Sequence, residues 1–160
     1  MESHLFSAVV ASPFGYMGIR SDAECLLELV YLPPRFQEKS PSDAISANLA
    51  QQMERYFDDP DFQFQINLPS VGSAFQNRVW QAINAIPRGQ VQTYGQVAKH
   101  IRSAPRAVGQ ACGANRFPLI IPCHRVVAAQ GLGGFAHDDT EDGFYLRVKK
   151  FLLDHEQARY

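Results

Sequence analysis

Carboxylates are the conspicuous shortage in this chain. Between Ser73 and His137 there is no Asp or Glu, yet Arg78, Arg88, Lys99, Arg102, Arg106, Arg116 and Arg125 all fall there. Residues 1–72 have the opposite balance, four basic side chains against ten acidic ones, so the net charge of -1 conceals both halves. A long stretch without one acid suits a surface that meets a polyanion; the alternative is a basic face that is merely solvated. Cysteine is scarce too. Cys25, Cys112 and Cys123 form an odd set with no metal-type spacing, which fits a reducing compartment. No apolar run approaches the ~20 residues of a bilayer span, and the start of the chain lacks the basic and apolar blocks of a secretory signal. The expectation is a soluble intracellular protein, cytoplasmic in a prokaryote and nuclear in a eukaryote.

What is present is enough apolar material for a packed core: 46% of 160 residues are hydrophobic, and no repeat or low-complexity segment interrupts them. The first part reads as α+β. Strand-like runs cover 5–11 and 25–32, and a helix near 43–57 carries Ile45, Leu49, Met53 and Tyr56 on one face. Residues 62–68 alternate strictly between apolar and polar, the pattern of a half-buried strand. Residues 69–73 read as a linker, which divides the chain into 1–70, an N-terminal α/β scaffold with no evident reactive cluster, and 73–160.

The second part changes period. Ser73 with Gln76 forms a capping box, followed by Phe75, Val79, Ala82, Ile83 and Ile86 on one helical face, and Pro87-Arg88-Gly89 ends that helix. Thr93 with Gln96 forms a second box, with Tyr94, Val97, Ala98 and Ile101 along a short helix. Ser103 and Pro105 signal another start almost at once. Two short helices across a tight turn, inside the basic stretch, read as a helix-turn-helix.

The second of these helices is poor in long side chains. Its apolar face is Val108, Ala111 and Cys112; the other stripe is Arg106, Gly109, Gln110 and Gly113. An interior glycine costs roughly 1 kcal/mol relative to alanine, so two on one stripe imply that something approaches the backbone closely. A major-groove reader would carry several long polar side chains. A nearly bare stripe led by one Arg suits a tighter, minor groove, with Arg106 pushed into the base stack. Helix–helix packing through small residues is the competing explanation.

After that helix, an apolar run, read as a buried strand, leads to Pro122, Cys123, His124 and Arg125. Beside His124 and Arg125, Cys123 sits where positive charge favours a thiolate; a buried, inert thiol is the alternative. Side chains of adjacent residues diverge, so a water bridge between Cys123 and His124 is expected rather than a direct hydrogen bond. His124 needs an orienting partner to act as a base. Val148, Phe151 and Leu152 form the buried stripe of the last helix, and its continuation through His155 to Glu156 offers one.

Residues 121–126, Ile-Pro-Cys-His-Arg-Val, resemble the active-site signature of the O6-alkylguanine-DNA alkyltransferases. The resemblance extends back through Thr93–Ala98, Arg106-Ala107-Val108-Gly109 and Asn115, forward to residues 152–156, and more weakly to residues 12–15. It implies irreversible, single-turnover transfer of an alkyl group from O6 of guanine in duplex DNA to Cys123, after the damaged nucleotide is flipped out. On that resemblance His124 draws off the thiol proton through water, Glu156 holds the imidazole, and Tyr94 donates a proton to the leaving guanine. Arg106 fills the gap in the stack, and Ala107, Gly109, Gln110, Gly113 and Arg125 lie against DNA. Asn115 joins the recognition helix to the active-site segment. The carbonyls of Cys123 and Val126 receive the guanine amino group, while Phe135 and Ala136 lie near the base. It further implies a ribonuclease-H-like N-terminal part, a mainly helical winged-helix-like C-terminal domain, a monomer, and neither cofactor nor membrane.

The chain departs from the family in the loop after the signature, where residues 131–137 run into acidic Asp138–Asp142 and lengthen the route to Glu156. Some members carry a structural zinc; His4 and Cys25 are too few ligands for one. Three other readings compete: a non-catalytic lesion binder, which would lack the acceptor cysteine; a helix-turn-helix repressor; and a cysteine hydrolase built from Cys123, His124 and Glu156.

Overall fold

The computed structural model describes residues 5–133 and 143–160 of a mixed α/β protein, and these described residues form five α-helices and two small sheets. The chain divides into two compact units, Met1–Ser70 and Val71–Tyr160. No described helix is long and apolar enough to cross a membrane.

In the first unit, β1 (Ala8–Ser12), β2 (Gly15–Ser21) and β3 (Leu26–Leu32) form an antiparallel sheet in that order. β2 escaped the sequence reading because two glycines dilute its strand pattern. Gly18 is there for space: a Cβ would lie 2.6 Å from the Phe6 ring. Asp43 caps α1 (Ala44–Asp58), accepting from the Ser46 N–H at 2.8 Å. Ser21 Oγ donates to both oxygens of the same carboxylate, which ties the end of β2 to the helix start. The expected stripe is confirmed at Leu49, Met53 and Tyr56, all buried, with Ile45 half-buried.

The strand expected at 62–68 does not form. The alternation is real, with Phe62, Phe64, Ile66 and Leu68 half-buried and the residues between them exposed, but among the described residues no strand pairs with the segment. A side chain does the pairing at Gln65: its N–H donates to Gln52 Oε1 at 2.8 Å and its carbonyl accepts from Gln52 Nε2 at 3.0 Å.

The second unit begins with α2 (Ala74–Asn84), and the capping box of Ser73 and Gln76 is present in both directions. Trp80 Nε1 donates to the Ala111 carbonyl at 2.9 Å and so fixes α2 against α4 (Pro105–Gly113). β4 (Gln92–Thr93) leads directly into α3 (Tyr94–Ile101), whose capping box at Thr93 and Gln96 also forms. α3 ends at Arg102 in the left-handed region, φ 59°, where the Ser103 N–H reaches the Ala98 carbonyl at 2.8 Å. This reversal delivers the chain into α4 after three residues. Ala104, not Ser103, holds the cap position of α4, with no side-chain cap, and Pro105 opens the helix.

The run from Phe117 to Ile121 is buried in alternate positions but is not a strand. Leu119 has φ 77° and the Ile121 N–H returns to the Phe117 carbonyl at 2.9 Å, so the chain doubles back on itself. Cys123–Arg125 then form a 3-10 turn leading into β5 (Val126–Val127), which pairs in parallel with β4, Gln92 opposite Val126 and Thr93 opposite Val127. That short ladder brings the start of α3, and with it Tyr94, beside the turn that carries Cys123. The unit closes with α5 (Phe144–His155).

Candidate active site

Cys123 is buried at the first position of the 3-10 turn. Asn115, just beyond α4, holds it in place. Asn115 Nδ2 lies 3.3 Å from Cys123 Sγ and 3.0 Å from the Ile121 carbonyl, while its Oδ1 accepts from the Phe117 N–H at 2.9 Å. All three contacts bridge the end of α4 to the segment that delivers the cysteine.

The sulfur is not a resting thiolate. Interaction with the Cys112 thiol and burial push Cys123 well above the ordinary thiol range, against the opposing pull of Asn115 and the Lys149 charge. The expectation that His124 and Arg125 would ionise it is therefore corrected. Burial leaves His124 itself below its usual value, despite the Glu156 carboxylate, so the imidazole is neutral. Arg125 is committed elsewhere. At rest the pair is thiol and neutral imidazole, a proton donor beside a base.

His124 and Glu156 are both fully buried, with Nε2 2.9 Å from Oε2. Arg125 completes the cluster: its Nε donates to Glu156 Oε1 at 2.9 Å, Nη2 to Oε2 at 3.0 Å and Nη1 to the Ile86 carbonyl at 2.7 Å. Burial resists ionisation of Glu156, but the hydrogen bonds and charges of His124 and Arg125 prevail and hold its carboxyl well below the usual range. Glu156 also anchors the loop before β4, since its own carbonyl accepts from Arg88 at 3.1 Å. His124 Nδ1, the ring nitrogen facing away from Glu156, is buried without a hydrogen-bond partner among the described residues. Arg125, expected to lie against DNA, has its guanidinium turned inward and its side chain only 15% exposed.

Lys149 is a residue of this candidate site that sequence reasoning missed. It is fully buried on α5, and its Nζ donates to the Val126 carbonyl at 2.8 Å and the Leu132 carbonyl at 2.6 Å. The ammonium lies 5.8 Å from the centre of the Tyr94 ring, and burial pushes its pKa down to about 8, against the raising influence of Cys112 and Cys123. The buried stripe of α5 is Val148, Lys149, Leu152 and Leu153, continuing to Glu156; Phe151 and His155 lie half-buried beside it and stack on each other. Tyr94, half-buried, is pushed above the ordinary phenol range by burial and by the two cysteines, so it stays protonated through neutral pH.

On α4, Val108 and Ala111 are buried, whereas Arg106 and Gln110 are exposed and Ala107, Gly109, Cys112 and Gly113 are half-buried. A Cβ built at Gly109 would meet nothing within 4 Å. Packing inside the chain therefore does not require that glycine, which removes the small-residue-packing explanation at this position. Phe135, Ala136 and His4 lie outside the described residues. Among those described, no group of three or more His, Cys, Asp or Glu side chains is placed to hold a metal ion.

Residues 74–158 match the family model described as the DNA-binding domain of 6-O-methylguanine DNA methyltransferase. The chain belongs to the O6-methylguanine DNA methyltransferase family. A methylated-DNA–protein-cysteine methyltransferase of Methanosarcina mazei is 34% identical over 161 residues, covering 96% of this chain and 98% of that protein. The constitutive methylated-DNA–protein-cysteine methyltransferase of Bacillus subtilis is 38% identical over 117 residues, covering 71% of this chain and 67% of that protein. The crystal structure of Mycobacterium tuberculosis OGT in complex with DNA matches with a TM-score of 0.76 at 32% identity, covering 93% of this chain and 91% of that one. Within this methyltransferase family frame, the matched region contains Cys123, Asn115, His124, Lys149 and Glu156 together.

Proposed function

We propose that this protein reverses O6-alkylguanine damage in duplex DNA by taking the alkyl group onto Cys123. The observation that carries the reading is the buried chain from Cys123 and its neighbour His124 to Glu156, set behind a helix whose outward stripe is nearly bare.

In this reading Arg106 and the small side chains of α4 enter the minor groove, and Arg106 occupies the space of the extruded nucleotide. The flipped guanine lies against Tyr94, and its amino group is received by the carbonyls of Cys123 and Val126. Each carbonyl already accepts one hydrogen bond, from the Val126 N–H and from Lys149 respectively, and each keeps a second lone pair. The Cys123 proton passes through water to His124 Nδ1, and Glu156 stabilises the imidazolium that results. Asn115 and the Lys149 charge favour the sulfur as it becomes anionic. Sulfur attacks the alkyl carbon in line, the bond from carbon to O6 breaks, and its electron pair passes to guanine. The Tyr94 hydroxyl meets that growing charge with its proton. The thioether offers water no carbonyl or phosphoryl centre, so each molecule acts once.

The same reading gives the first unit a ribonuclease-H-like scaffold role and residues 73–160 a winged-helix-like arrangement, in a monomeric intracellular protein without cofactor. Exposure to a duplex oligonucleotide containing O6-methylguanine should add one methyl mass, localised to the peptide bearing Cys123. Folded protein that binds this duplex but gains no mass would make it a lesion binder instead.

A further inference from the structure

We propose that Gly133 is a positioning residue for alkyl transfer: its missing side chain leaves the space in which the Tyr94 ring is seated. The inference rests on Tyr94 being the proton donor to the leaving guanine. A Cβ built on Gly133 would lie 3.2 Å from Tyr94 Cε2, the ring carbon next to the one that bears the hydroxyl. It would also lie 3.0 Å from the Ala128 backbone nitrogen. Carbon atoms in favourable contact stand about 3.5–4.0 Å apart, so the ring and an added methyl compete for one space. Gly133 has φ 74° as well, in the left-handed region that a Cβ disfavours. The dihedral and the contact call for glycine independently.

The backbone around Gly133 is poorly placed to retreat from such a collision. Lys149 Nζ donates to the carbonyl of the preceding residue, Leu132, at 2.6 Å, and to the Val126 carbonyl at 2.8 Å. One ammonium thus holds the segment before Gly133 to the start of β5. Thr93 pairs with Val127 in the β4–β5 ladder, which locks the residue before Tyr94 to the residue before Ala128. The Tyr94 ring, half-buried and turning about single bonds, is the softer neighbour. Displacing it at Cε2 carries the adjacent hydroxyl away from the leaving base, and proton donation requires hydrogen-bond reach. Gly131 supplies the contrast within the same loop. It too has positive φ, 155°, but a Cβ there would meet nothing within 4 Å. Strain alone marks Gly131; strain together with the tyrosine marks Gly133.

The test measures single-turnover methyl transfer from a saturating O6-methylguanine duplex to the full chain. Gly133→Ala should slow transfer by about 10–100-fold, the scale of loss when a reacting group is slightly misplaced. Gly133→Asn tolerates the left-handed backbone better but carries the same Cβ, so it should slow transfer too and stands in where the alanine variant folds poorly. Gly131→Ala should stay close to wild type. Alkylation of Cys123 by iodoacetamide, read at its own peptide, needs no proton donor and should be unchanged in all three variants. In a Tyr94→Phe background, Gly133→Ala should add no further slowing, because the hydroxyl it misplaces is already gone. The proposal is overturned if both Gly133 variants transfer as fast as wild type or if Gly131→Ala is slowed equally. It is also overturned if Cys123 labelling falls in parallel, or if the Gly133 effect persists undiminished without the Tyr94 hydroxyl. Tyr94→Phe alone at the wild-type rate would remove the proton donor and this proposal together. A wild type that takes up no methyl group would sink the repair reading itself, whereas uptake with unaffected Gly133 variants sinks the positioning role alone.

Discussion

Glu156 Oε2 lies 2.9 Å from His124 Nε2 in a space from which solvent is excluded on both sides. The same carboxylate accepts two hydrogen bonds from Arg125, so it fixes a base and neutralises a cation at once. Glu156→Gln removes the charge that a protonated His124 depends on, and methyl transfer should slow by about 100-fold, typical of losing a partner in general acid–base catalysis. Duplex affinity should change little. Breaking a buried ion pair costs about 3–5 kcal/mol, so the variant should also melt earlier; chemical denaturation together with single-turnover kinetics separates the two effects.

Acid should destabilise the protein through this cluster. Glu156 is held below its ordinary value in the fold, so between the folded and unfolded values the unfolded chain binds more protons. His124 is lowered as well and works in the same direction. Their contribution is complete above the ordinary histidine range and is lost as pH falls, first through His124 and then through the carboxylate. Denaturant midpoints measured from neutral pH downwards should fall in wild type and, below the histidine range where the carboxylate titrates, fall less steeply in Glu156→Gln. Equal slopes would mean that the carboxylate is not depressed.

The parts of this site legible in sequence are those set by local spacing. Both capping boxes follow from residues three apart, and Glu156 follows from continuing the helical stripe of α5. Lys149 was invisible because it is one of two adjacent lysines, and only the carbonyls of Val126 and Leu132 decide that it turns inward. Arg125 reads as a surface cation until the Ile86 carbonyl and Glu156 are placed around it. The alternation at 62–68 marks a true period of burial but not a strand, because a partner strand is a property of the fold and here the Gln52 side chain takes its place.

Lys149→Met should expose what the buried ammonium does. The stem is replaced at nearly equal volume, but the Val126 and Leu132 carbonyls lose their donor, at a cost of about 1–3 kcal/mol for each acceptor left buried and unpaired. The positive charge near Cys123 also disappears. We expect methyl transfer to fall by about tenfold or more, given that charge-assisted hydrogen bonds contribute roughly 1.5–3 kcal/mol. Because the thiolate is then less favoured, labelling of Cys123 by iodoacetamide, read by peptide mass, should slow in the same variant. Unchanged labelling would place Lys149 in a purely structural role.

Arg106 is exposed near the start of α4, where it can either contact phosphate or enter the base stack, and salt dependence distinguishes the two. If it enters the stack, Arg106→Ala should slow uptake from an O6-methylguanine duplex by about 10–100-fold, the equivalent of a few kcal/mol for unpairing and unstacking a base. Uptake from the free O6-alkylguanine base, which needs no flipping, should be unchanged. The slope of log affinity against log salt should then stay close to wild type, whereas Arg116→Ala, if that exposed side chain neutralises a phosphate, should reduce it by about 1. An Arg106→Ala variant with a reduced salt slope and undiminished duplex repair would make this arginine an ordinary phosphate contact and return the flipping role to some other residue.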